Sequence, residues 1–176
     1  MELNEAIELI RYEGIAGPGA SSWADLGCGS GLFSRALAAL LPTGSTVYAI
    51  DKEPVKIAGA HGAAIQNLQL DFVANDLPLQ NLDGILMANS LHYVKDQYAF
   101  IKKAGSCLKA GAGFLIIEYD TDKANPWVPY PLSYHSLLRL FHRAGYPHII
   151  RLQERASIYG RADIYSVLVT PEALNR

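Results

Sequence analysis

The feature that most constrains this chain is Asp25-Leu26-Gly27-Cys28-Gly29-Ser30-Gly31, a glycine turn wedged between two apolar stretches of different period. Ser22 to Leu26 before it reads as a strand. After it, Leu32, Phe33, Ala36, Leu37, Leu40 and Leu41 recur at helical spacing, and Pro42-Thr43-Gly44 stops the helix. Glycines here permit positive φ in a tight turn, and without Cβ atoms they let a ligand approach the backbone. N–H groups exposed at a helix start favour electron-rich ligand atoms. Such a junction commits the chain to strand–turn–helix units, and open sheets of that kind bind ligands at the carboxyl ends of their strands.

The rest of the sequence repeats the unit. An opening helix is expected from Leu3 to Tyr12, followed by a Gly/Pro connector over Gly14 to Ala20. Thr46 to Ile50 reads as a second strand closing at Asp51, with Pro54 in the first turn of a weak helix interrupted by Gly59 and Gly62. A short third strand, Asn67 to Leu70, ends at Asp71-Phe72, and Leu82 to Ala88 forms a fourth. Lys95 to Leu108 has helical spacing, and Gly113 to Glu118 is strand five. Asn125 to Pro131 is a proline-stiffened loop. Ser133 to Ala144 follows as a helix with Ser133 as N-cap and Gly145 as stop. Two late strands, His148 to Glu154 and Ile164 to Val169, flank a loop with Gly160 and pair as an antiparallel hairpin at one sheet edge. Alternating strands and helices in 176 residues, with half the residues hydrophobic, fit one α/β domain over 1–176, of which 1–21 are the opening helix and connector.

The acids narrow the ligand. The spacing is Gly-x-Gly-x-Gly, with Leu32 where a dinucleotide turn places its third glycine. Asp25 stands two residues before the first glycine, where a pyrophosphate has no use for a carboxylate. A ligand carrying an ammonium and a sulfonium does. Twenty residues after Gly31 comes Asp51, placed to accept from both ribose hydroxyls, and twenty further on Asp71 can accept from an adenine amino group. Phe72 can cover the ring.

The segments Asp25 to Gly31, Ala49-Ile50-Asp51, Asp83 to Val94, Leu108 to Glu118 and Leu137 to Tyr146 resemble the class I S-adenosylmethionine-dependent methyltransferases. The resemblance implies a Rossmann-like, doubly wound seven-stranded sheet, mostly parallel with strand seven antiparallel. It implies methionine-end contacts from Asp25 and the backbone of Gly27, Cys28 and Gly29. Asp51 with Lys52 would serve the ribose, Asp71 and Phe72 the adenine, and Asn89 would border the methyl-transfer centre, with S-adenosylhomocysteine as product. Asn75-Asp76-Leu77-Pro78 only partly matches the family's run after strand three, so Asp76 stands as a second adenine acid behind Asp71.

Methyl transfer needs a general base only where the acceptor must lose a proton. His92 and Glu118, after strands four and five, are the candidates for catalysis, Glu118 also for holding a substrate amine or hydroxyl. Tyr12, Tyr93, Tyr119, Trp127 and Tyr130 are candidates for the acceptor wall. Asp120 and Asp122 lack a third ligand and read as turn residues, so no metal is expected.

Composition trims the remaining classes. Fifteen basic against 17 acidic residues, a net charge of −2, give no general footprint for nucleic acid, although Lys102, Lys103 and the Arg139, Arg143, Arg151, Arg155, Arg161 series fall in the second half. Cys28 and Cys107 are the only cysteines and form neither a zinc pair nor a disulfide framework. The acidic opening Met1-Glu2-Leu3-Asn4-Glu5 does not fit a secretory signal, and no apolar run reaches membrane-spanning length, so a cytoplasmic location is expected. The expected function is methyl transfer to N or O of a small molecule, with a lid from Tyr12 and the proline loop or from a second copy in a homodimer. A non-catalytic module that binds S-adenosylmethionine for a partner is the alternative.

Overall fold

The structure, a computed structural model, describes residues 1–59, 62–155 and 162–173. In chain order the first half holds α1 (Leu3–Ile10), β1 (Ser22–Leu26), α2 (Leu32–Leu40), β2 (Thr46–Asp51), β3 (Ala64–Gln69) and β4 (Leu82–Ala88). The second half holds α3 (Gln97–Gly105), β5 (Leu108–Tyr119), α4 (Tyr134–Ala144), β6 (His148–Arg155) and β7 (Ile164–Thr170).

The strands form one seven-stranded sheet in the order β3-β2-β1-β4-β5-β7-β6. β1 pairs in parallel with β2 and β4, β2 with β3 and β4 with β5, while β7 runs antiparallel to both β5 and β6. This is the doubly wound α/β architecture expected from the resemblance, with β6 at the edge of the late hairpin.

Both faces of the central strands are apolar because both are covered. Phe114 and Ile116 of β5 pack with Phe100 and Ile101 of α3 and Leu137 and Phe141 of α4. Leu115 and Ile117, one residue out of phase, pack with Leu9 and Ile10 of α1 and Leu37 of α2. Gly84 in β4 makes room for the Trp23 ring of β1: a Cβ there would come within 2.3 Å of a ring carbon.

Caps set the helix limits. Asp96 accepts from Ala99 N at 3.0 Å, so α3 begins at Gln97 rather than Lys95. Ser133 accepts from Ser136 N and Gly145 ends α4 at φ 97°, as expected. Leu108, expected to close α3, instead opens β5 opposite Leu82. β3 starts three residues earlier than expected and ends at Gln69, which leaves Asp71 two residues beyond it.

The helix expected from Pro54 does not form over residues 52–59. Its propensity is low, and tertiary contacts claim the backbone instead. Asn67 Oδ1 accepts from Ile57 N at 3.0 Å and its Nδ2 donates to Ile57 O at 3.3 Å. Gly160 and Arg161 lie outside the described residues. Among the described residues no helix is long and apolar enough to cross a membrane.

Candidate active site

The glycine turn leaves β1 with φ of 80°, 50° and 80° at Gly27, Gly29 and Gly31. Its N–H groups are largely spent inside the protein. Those of Gly27 and Cys28 donate to Ile50 O at 2.8 and 3.1 Å, and that of Gly31 to Cys28 O at 2.8 Å. What the turn offers a ligand is space, since a Cβ at Gly29 would meet nothing within 4 Å. Gly27 is different: a Cβ there would lie 2.5 Å from Cβ of Ser90 and 3.6 Å from the Phe72 ring. Ser90 Oγ in turn donates to Leu26 O at 2.6 Å, which locks the end of β1 to the segment after β4.

Asp25 is buried under the turn. Ser34 Oγ, from the first turn of α2, donates to its Oδ2 at 2.5 Å, whereas Oδ1 has no partner among the described residues. Burial pushes its carboxyl up to about 7, against the Ser34 hydrogen bond and with a smaller push from Asp51. Asn89, at φ 53° just past the end of the neighbouring strand, holds a second buried acceptor, its Oδ1, without a partner among the described residues. Unpaired acceptors on Asp25 of β1 and just past the end of the adjacent β4 suit a ligand that brings donors.

Asp51 is oriented by backbone donors. Gly29 N donates to its Oδ2 at 2.9 Å and Glu53 N to its Oδ1 at 3.0 Å. Each oxygen keeps a second lone-pair direction, so the carboxylate is aimed and still able to accept two hydroxyls. Asp71 Oδ1 accepts from Val73 N and Ala74 N at 3.0 and 3.1 Å, and Phe72 sits buried beside the turn. Asp76 is turned away, its side chain 96% exposed and 3.9 Å from Lys103. Lys52 is exposed next to Asp51. The Cys28 thiol is pushed up to about 12 by burial, Asp25 and Asp51, which keeps it protonated and unreactive.

His92 and Glu118 meet behind the next opening of the sheet. Glu118 Oε1 accepts from His92 N at 3.1 Å, and its Oε2 lies 2.6 Å from His92 Nδ1. A carboxylate only accepts, so the shared hydrogen belongs to Nδ1, and in the neutral imidazole Nε2 then carries the lone pair. The pair is almost wholly buried, yet His92 forms part of the wall of a cavity of about 850 Å³. Asn89, Tyr93, Tyr119, Lys123, Asn125 and Trp127 stand in the same wall.

A family model described as a methyltransferase domain matches residues 24–114, from β1 to the middle of β5. The chain belongs to the methyltransferase domain family. Ubiquinone biosynthesis O-methyltransferases from strains of Xanthomonas campestris pv. campestris are 36% identical over 95 residues, covering 49% of this chain and 38% of theirs. The match thus spans well under half the length of those curated relatives. Among solved structures, a SAM-dependent methyltransferase from Leishmania major has a TM-score of 0.69 at 19% identity over 95% of this chain and 72% of its own. Burkholderia thailandensis 1,6-didemethyltoxoflavin-N1-methyltransferase, solved with S-adenosylhomocysteine, has a TM-score of 0.68 at 15% identity over 97% of this chain and 78% of its own. These likenesses fix the fold, and the family fixes the class: this is a methyltransferase domain, for which S-adenosylmethionine is the expected methyl donor. The residues fit that cofactor, with unpaired acceptors at Asp25 and Asn89 for a cationic end and the aimed carboxylate of Asp51 for a diol.

Within this methyltransferase domain, some expected residues stand elsewhere. Tyr12 lies with Trp23, Asp83 and the connector at the amino ends of β1 and β4, opposite the turn. α1 runs down past β6, with Glu5 paired to Arg155 at 2.6 Å, which carries Tyr12 away from the ligand edge. Tyr12 is therefore not among the described residues lining the His92 cavity, and α1 does not lay it over the glycine turn. Tyr130 stays outside the cavity wall and fastens the proline loop, its N donating to His92 O at 3.0 Å. Both oxygens of Glu118 contact His92, and Glu118 is not among the described residues that line the cavity.

Asp120 and Asp122 serve the start of α4, accepting from Tyr134 N and from Ser133 and Ser136. Ser34, Ser90 and Lys123 were not singled out from the sequence. Ser34 and Ser90 act through pairings 9 and 64 residues apart that no local pattern announces.

Proposed function

We propose that this domain transfers the methyl group of S-adenosylmethionine to a hydroxyl oxygen of a small molecule, with His92 as general base and Glu118 as its positioning residue. The observation that carries this reading is the 2.6 Å His92 Nδ1–Glu118 Oε2 contact in the wall of a cavity that also includes Asn89. The cofactor supplies a methyl group already activated on a sulfonium. His92 Nε2 takes the hydroxyl proton as the new O–C bond forms and the C–S bond breaks, and passes it to solvent. Glu118 holds the imidazole in the tautomer that leaves Nε2 basic, and steadies the imidazolium that results. The relatives named as O-methyltransferases support oxygen as the atom.

Around the cofactor we assign Asp25, Asn89 and the Gly27 and Gly29 backbone to the amino-acid end, Asp51 and Lys52 to the ribose, and Asp71 and Phe72 to the adenine. Cys28 closes the floor of the turn.

The test is an assay of labelled methyl transfer into pooled hydroxyl-bearing metabolites, beside calorimetry with S-adenosylhomocysteine. Binding with turnover that His92→Ala lowers by about 10²-fold or more supports the assignment. Binding without turnover on any hydroxyl would favour a non-catalytic module.

A further inference from the structure

The wall of the cavity beside His92 defines what can enter it. Tyr93, Tyr119 and Trp127 supply aromatic surface, and two of these rings are left well exposed, Tyr93 at 55% and Trp127 at 66%. The segment bearing Trp127 is held in place. Asn125 Oδ1 accepts from Trp127 N and Val128 N at 2.9 and 3.0 Å, and Tyr130 N ties the following turn to the His92 carbonyl. Aromatic faces fixed at a surface are an unusual investment for packing alone, and they match a flat ring.

Charge narrows the choice. No aspartate or glutamate is among the described residues lining the cavity, whereas Lys123 is. Its ammonium makes no ion pair among the described residues, and Glu118 stands behind His92 rather than in the wall. A protonated amine would meet a cation with no carboxylate beside it among the described lining residues. A carboxylate or phosphate would meet an attractive partner.

We propose that the acceptor is a planar phenol carrying an anionic substituent. Its ring lies against the Tyr93, Tyr119 and Trp127 surfaces, its substituent reaches Lys123 and its hydroxyl faces His92. A phenol also loses its proton to an imidazole far more readily than an aliphatic alcohol does, which suits a lone histidine base. This inference rests on the O-methyl transfer reading and names its substrate class.

Three catechols that differ in substituent charge test it: 3,4-dihydroxybenzoate, catechol and dopamine, titrated into protein saturated with S-adenosylhomocysteine and followed by tryptophan fluorescence. The benzoate should bind about tenfold tighter than catechol, with dopamine weakest, and the preference should shrink as salt is raised. Lys123→Met, at an exposed loop position, should bring the benzoate to the level of catechol. Trp127→Ala should weaken all three. Dopamine binding as well as the benzoate, or a preference that survives Lys123→Met, overturns the proposal. No binding of any catechol at millimolar concentration, with normal S-adenosylhomocysteine affinity, overturns the acceptor class alone. Failure to bind S-adenosylhomocysteine overturns the methyltransferase reading beneath it.

Discussion

Glu118 grips His92 at two points, accepting from the backbone N at 3.1 Å and lying 2.6 Å from the ring Nδ1. Two contacts fix both the place of the residue and the rotation of its ring. Replacing the carboxylate by an amide keeps the shape but lets the ring nitrogen meet either a donor or an acceptor. Glu118→Gln should therefore lower kcat by on the order of 10²-fold or more with little change in KM, and His92→Ala by about 10²- to 10⁴-fold. Steady-state kinetics read the split, and a rise in KM alone would assign the pair to packing.

Asp25 predicts how cofactor affinity follows pH. Its carboxyl is raised from an ordinary 3.8 to about 7 by burial. Between those values the folded chain holds a proton that the unfolded chain has released, so this group's contribution makes stability fall as pH rises from about 4 to about 7. A ligand ammonium beside Asp25 favours the carboxylate, so binding below pH 7 expels that proton. Affinity for S-adenosylhomocysteine should rise toward pH 7 and level off above it. Calorimetry at pH 6 in buffers of different ionisation heat should show the released proton, and Asp25→Asn should abolish it. A flat pH profile would detach Asp25 from the ligand.

Asp51 is preset by Gly29 N and Glu53 N before any hydroxyl arrives. Hydrogen bonds to a charged group are worth about 1.5–3 kcal/mol each, so Asp51→Ala should weaken S-adenosylhomocysteine by at least about tenfold. Unchanged affinity in a titration would remove the residue from the site.

The glycines of the turn are not equivalent. An alanine at 27 would put its Cβ 2.5 Å from Ser90 Cβ, whereas at 29 it meets open space. Both positions have positive φ, which alone costs about 1–2 kcal/mol. Gly27→Ala should lower stability by about 2–4 kcal/mol, and Gly29→Ala by no more than the backbone penalty. Urea midpoints compare the two, and equal losses would show that the Ser90 contact yields freely.

The sheet and most of its strand limits were legible in the sequence because each buried strand is an apolar run bounded by turn residues. The turn, Asp25 and Asp51 were legible because their spacing is local to successive strand–helix units. The missing helix after Pro54 was not, since Asn67 claims the backbone of Ile57 from across a loop. Nor was the alliance of His92 with Glu118: His92 lies beyond β4 and Glu118 near the end of β5, and only the parallel pairing of the two strands brings them together. Tyr12 misled for the converse reason, because nothing in a helical pattern says which end of the sheet the helix runs toward.

Asp25 Oδ1 and Asn89 Oδ1 remain acceptors without a partner among the described residues. Each such atom costs a native state about 1–3 kcal/mol, and Asn89 adds the strain of a left-handed backbone at φ 53°. A chain selected for durability alone would not keep them: Asn89→Gly would relieve both burdens at one position. On the proposed reading, the carboxyl edge of this sheet is where robustness is traded away for recognition.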